Sequence, residues 1–119
     1  MSSQLVDQIA AAIGAHGLWK GRLLAAIESG KSDTDVATVK RDDACKFGTW
    51  LHTEIDPTAK SSPHFAKVKE QHAKFHQEAA RILGMALSGD KAGAKGALSG
   101  TYTKVSNELI NLLRDWRGA

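Results

Sequence analysis

Two imidazoles stand one helical turn apart in the stretch EQHAKFHQEA, as His72 and His76. On a helix that spacing projects both rings from one face, so they can converge on a single atom. A third histidine of interest, His16, precedes them, and the chain's one cysteine, Cys45, lies between. Three imidazoles and a thiolate are a sensible tetrahedral set for zinc, with bonds of about 2.0–2.1 Å to nitrogen and about 2.3 Å to sulfur. Each residue alone has a plainer role. A histidine on an apolar seam is commonly a satisfied core residue, and a buried cysteine behaves as a small hydrophobe. Together the plainer roles become strained. An imidazole buried without a partner costs about 1–3 kcal/mol, and one interior would have to satisfy three such rings independently.

The elements that must position these side chains follow a helical period. Leu5, Ile9, Ala12, His16, Trp19, Leu23 and Ala26 alternate by four and three, the seam of a helix facing a bundle. Gly30 and the polar run KSDTD end it. Over 64–87 the same rule selects Phe65, Val68, His72, Phe75, Ala79, Ile82 and Ala86, with Ser62 and Pro63 as the start and SGD at 88–90 as the stop. A last helix aligns Leu98, Tyr102, Val105, Leu109, Leu112 and Trp116, its beginning weakened by Gly93, Gly96 and Gly100. Between them, DACKFGTWLHTEI (43–55) makes a short helix that begins at Cys45 and turns Ala44, Phe47 or Gly48, Leu51 and Ile55 inward. Asp42 or Asp43 would cap it. DPTAKSSP closes it with both prolines of the chain. Three long helices and one short one predict an all-α, antiparallel four-helix bundle. His16 and His72 then occupy seam positions that packing alone would give to leucine. His52 lies two turns beyond Cys45 on roughly the same face and is a rival ligand. His64 follows Pro63 in a first turn, where exposure is normal.

The totals narrow the function classes. At 119 residues the chain makes one domain with a modest core. Its 16 basic and 13 acidic residues are interspersed, so the net charge of +3 gives no nucleic-acid footprint. One cysteine permits no internal disulfide and fits a reducing compartment. The opening MSSQLVDQIAAAIG lacks a basic region ahead of its apolar residues, and no apolar run approaches the ~20 residues of a membrane span. A cytoplasmic location is the expectation.

HGLWKGRL (16–23), DDACKFGTWL (42–51) and HAKFH (72–76), in that order and at those separations, resemble the chemoreceptor zinc-binding, or CZB, domain family. The resemblance spans nearly the whole chain, from the first helix to the final LLRDW. It implies a four-helix bundle paired as a homodimer, with zinc held by His16, Cys45, His72 and His76. It also implies regulation of an attached signalling module, a methyl-accepting chemoreceptor or a diguanylate cyclase, neither of which lies within these residues. The family's reported signals are hypochlorous acid and related oxidants, and zinc itself. Both suit the donor set. Zinc can tighten the bundle as an effector, and a metal-held Cys45 thiolate is the form that oxidants attack. The short Gly48-containing helix, set between loops, is the candidate moving part. Around the site, Asp42 and Asp43 could orient an imidazole or polarise the sulfur, or merely cap the helix. Trp19 and Trp50 belong to the family motifs and could wall the site.

Competing chemistries lack residues. A metalloprotease HExxH needs glutamate where Ala73 stands. A di-iron bundle needs glutamate three residues before its histidines, and Ile13, Thr49, Ser61, Lys69 and Ala73 occupy those places. Covalent haem attachment needs a second cysteine, although a haem held by His16 or His72 with a methionine is formally compatible. The remaining alternative is a metal-free structural dimerisation bundle.

Overall fold

The computed structural model describes residues 3–119, which form helices joined by turns, with no strand among the described residues. The first long rod is α1 (Ser3–Gly17) followed by α2 (Trp19–Ser29). Short helices follow, α3 (Val36–Lys40), α4 (Lys46–Thr49, continued by a π-helical turn at Trp50–Glu54) and α5 (Pro57–Lys60). The second rod is α6 (Pro63–Leu87). The third is α7 (Lys91–Ala97), a π turn at Leu98–Tyr102 and α8 (Thr103–Gly118). α6 packs against α2, α3 and α8, and α1 packs against α8. The all-α bundle read from periodicity is therefore present, with the short helices filling its fourth side.

The seams are the expected ones except at Trp19, Phe65 and Val105, which are only half-buried. Leu5, Ile9, Ala12, His16, Leu23 and Ala26 are buried along α1 and α2, as are Val68, His72, Phe75, Ala79, Ile82 and Ala86 along α6. Gln71 is buried as well and donates from Nε2 to the Val105 carbonyl at 3.2 Å, tying α6 to α8. Caps set the ends. Ser62 accepts the His64 amide with Pro63 at the first helical position, Asp90 accepts the Gly93 amide, and Gly30 closes α2 at φ 70°.

Several local expectations are corrected. The first helix is not continuous. The chain turns at Leu18, two residues after His16, with the Leu18 amide reaching back to the Ala15 carbonyl. Residues 36–40, to which the periodicity assigns no element, form α3, because Asp35 caps them and Val39 finds a place in the core. The helix after residue 43 is capped by neither Asp42 nor Asp43 but by Cys45, whose sulfur accepts the Gly48 amide at 3.2 Å. Ala44, outside that cap, is exposed, whereas Phe47, Gly48, Leu51 and Ile55 are buried. The last rod starts at Lys91 despite its glycines, and there Leu113 is fully buried while Leu112 is only half-buried.

Candidate metal centre

Three elements supply four donors. His16 ends the α1 seam, His72 and His76 come from the middle of α6, and Cys45 stands at the N-cap of α4. One ligand atom from each lies within 4.8 Å of all the others. His72 Nε2 is the hub: it is 3.1 Å from His16 Nε2, 3.1 Å from His76 Nε2 and 3.4 Å from Cys45 Sγ. Donors bound tetrahedrally at ordinary zinc distances stand about 3.3–3.4 Å apart between nitrogens and about 3.6 Å between nitrogen and sulfur. The three separations from His72 fall within a few tenths of those edges, and the other three are no longer than 4.8 Å. The donor set fits a zinc ion.

Main-chain carbonyls fix two of the rings. His16 Nδ1 donates to the Ala12 carbonyl at 2.8 Å, and His76 Nδ1 donates to the Val39 carbonyl at 2.9 Å. Each bond places the proton on Nδ1 and leaves an unshared pair on Nε2, aimed at the hub. One proton on His72 Nε2 could satisfy only one of those two pairs. Its other nitrogen, Nδ1, is buried without a partner. A cation resolves this crowding of lone pairs, which is the physical case for a metal.

The surroundings keep the rings neutral. Burial pushes His16 down to about 4, against the bond to Ala12, and burial pushes His72 down to about 2, reinforced by the neighbouring imidazoles. His76 is likewise lowered by burial, with the Val39 bond opposing. Burial raises the Cys45 thiol despite the amides of Gly48 and Phe47 around its sulfur. A thiol at this depth becomes a thiolate readily when a cation sits beside it. Aromatic edges pack against the rings: Phe75 lies 5.0 Å from the His16 ring and Phe47 lies 5.2 Å from the His72 ring. The sulfur is the most accessible donor, half-buried where all three histidines are buried.

The other candidates fall outside the cluster. Asp42 accepts from His52 Nε2 at 3.2 Å, and its charge reaches Cys45 and His76 through space without a bond to either. Asp43 pairs with Arg41 at 3.1 Å on the surface. His64 sits half-buried in the first turn of α6. Trp19 is half-buried, 6.5 Å from the His76 ring, with the Arg22 guanidinium 4.0 Å above its face. Trp50 is buried one layer behind, against Phe47 at 5.9 Å. The Ala12 and Val39 carbonyls and the Gly48 amide were invisible to sequence reasoning, because main-chain groups carry no residue signature.

A helical bundle with three imidazoles and one thiol converging at its centre belongs to the class of metal-binding helical domains. The chemoreceptor zinc-binding domain family model matches residues 16–83, from the first of these donors to beyond the last, and the chain belongs to that family. No curated protein and no solved structure matches it. Among the described residues no helix is long and apolar enough to cross a membrane.

Proposed function

We propose that residues 1–119 form one sensory domain that holds zinc through His16, Cys45, His72 and His76, with Cys45 as its redox-reactive group. The observation that carries this reading is the convergence of those four donors within 4.8 Å. Membership of a regulatory zinc-binding family favours signalling over catalysis. A zinc ion bound there would hold the Cys45 sulfur deprotonated at neutral pH. The half-buried sulfur then attacks hypochlorous acid. An S–O bond forms, chloride leaves with the electron pair of the O–Cl bond, and Cys45 becomes a sulfenic acid. The oxidised sulfur is a poorer donor, so α4 loses its hold on α6.

Zinc supply is the second input to the same site, since gain or loss of the ion changes the same tie between α1, α4 and α6. The domain acts in the cytoplasm as a homodimer and passes the movement of α4 to a chemoreceptor or cyclase module, in cis or in trans. A metal-free dimerisation bundle is the alternative. Metal content and free thiol, measured together as hypochlorous acid is added, separate the two. The sensor reading expects one zinc per chain, released in step with thiol loss, and little or none in Cys45→Ser. Wild-type protein that binds no zinc from a metal-replete buffer would sink it.

A further inference from the structure

We propose that Asp35, which touches none of the donors, is a positioning residue for His76. The inference rests on the reading of His76 as a zinc ligand. Of the two rings fixed by carbonyls, His16 is held by Ala12, one turn back on its own helix, and so carries its support with it. His76 is held from another element, by Val39 of α3. That helix has five residues, too few to persist without outside support. Its support is specific. The Asp35 carboxylate accepts the Thr38 amide at 2.7 Å, the Asp35 carbonyl accepts the Val39 amide at 3.1 Å, and the Val39 side chain is buried.

Asp35 therefore sets the first turn of α3, and that turn presents the Val39 carbonyl to Nδ1 of His76. The bond keeps the proton on Nδ1 and the unshared pair of Nε2 aimed at the cluster. Without the cap, the short helix frays, the carbonyl loses its fixed direction, and the ring gains rotational and tautomeric freedom. Only Arg41 to Ala44 separate α3 from Cys45. Two of the four donors therefore depend on one short stretch of chain, Cys45 by belonging to it and His76 by leaning on it.

The test compares zinc affinity, by competition with a chromophoric chelator, in wild type, Asp35→Ala and Asp35→Asn. Asparagine keeps a side-chain oxygen for the Thr38 amide and serves as a cap. Asp35→Ala is expected to weaken zinc binding by about 3–10-fold, and Asp35→Asn to stay within about twofold of wild type. Nitrogen-15 spectra of the zinc-loaded protein separate a local effect from general destabilisation, because the His16 Nδ1 proton, held within its own helix, should exchange as in wild type in every variant. The His76 Nδ1 proton should be present and slow to exchange in wild type, and faster in Asp35→Ala. Equal affinity and equal exchange in Asp35→Ala would overturn the proposal, as would an asparagine variant as weak as alanine. A His76 Nδ1 without a proton in loaded wild type would overturn it with no variant at all. Failure of wild type to take up zinc is a different result and counts against the zinc reading itself.

Discussion

Alanine at position 48 sets two physical effects against each other. Gly48 lies within the Cys45 helix at a negative φ, so alanine is allowed by the backbone, and helix propensity alone favours it by about 1 kcal/mol. Space forbids it. A Cβ there would stand 1.7 Å from the Asp42 carbonyl oxygen, 2.8 Å from the Asp42 carbonyl carbon and 3.2 Å from the Asp43 Cα. All three atoms are main chain, so no side chain can swing aside. Relief requires α4 and the 42–43 turn to part by about 1.3 Å to reach the shortest tolerable contact of 3.0 Å. Metal–ligand distances tolerate only about 0.2 Å, and Cys45 is the joint between the two segments. Gly48→Ala is therefore expected to weaken zinc binding by about 100-fold or more, while α1, α2, α6 and α8 keep their packing. Cobalt substitution is the assay, because the near-ultraviolet charge-transfer band reports the sulfur bond directly. The band should be lost or much reduced, with unchanged far-ultraviolet dichroism. Full band intensity together with wild-type zinc affinity would refute the steric argument.

The hub histidine gives a prediction that separates zinc binding from folding. His72→Leu removes a ring with an unpartnered Nδ1 but also the group that the His16 and His76 Nε2 atoms meet, so the two costs of about 1–3 kcal/mol oppose each other, and apo stability in urea unfolding should stay within about 1 kcal/mol of wild type while zinc binding is abolished. An apo variant destabilised by about 3 kcal/mol or more would contradict that. Acidity should weaken the zinc-free fold. The three buried imidazoles have folded pKa values below 6.5, about 4 for His16 and about 2 for His72, so the unfolded chain takes protons first as pH falls. Stability is complete above pH 6.5 and declines below it, by at most ~1.4 kcal/mol per pH unit for each ring. Denaturant midpoints that stay flat from pH 7.5 to 5 would be inconsistent with neutral buried rings.

The donors were legible in the sequence because two different codes disagreed there. Periodicity demanded apolar residues at positions 16 and 72, and the chain supplied imidazoles. Such a conflict between pattern and residue marks a functional site. Helix propensity and capping read α6 correctly at both ends, since Ser62, Pro63 and the 88–90 turn are local signals. α3 was not legible. Its five residues hold too few apolar positions to show a period, and its stability comes from Val39 entering a core built by α6. The caps were misread for a related reason. Asp42 and Asp43 are better caps by propensity than cysteine, yet the close approach of Gly48 to the Asp42 carbonyl fixes where the chain turns, and the sulfur inherits the amide. The break after His16 was missed because the seam stays in register across it.

The energetic asymmetry among the donors bears on how a signal would arise. His16, His72 and His76 sit on long helices whose burial is supplied by the whole bundle, so on the proposed reading loss of an ion would leave those helices where they are. Cys45 sits on a segment of nine helical residues that ends in a π turn and is anchored mainly by Phe47, Trp50 and Leu51. π turns replace the regular i to i−4 ladder with longer bonds, and such segments open at lower free energy than long packed helices. On the proposed reading, the same event at the sulfur removes one of the few ties α4 has and one of many that α6 has. The response is then confined to residues 43–55, with α6 as the fixed reference against which a partner could read the displacement. Were α6 to loosen to the same degree as α4 when the sulfur is oxidised, the direction of the signal inferred from this asymmetry would be wrong.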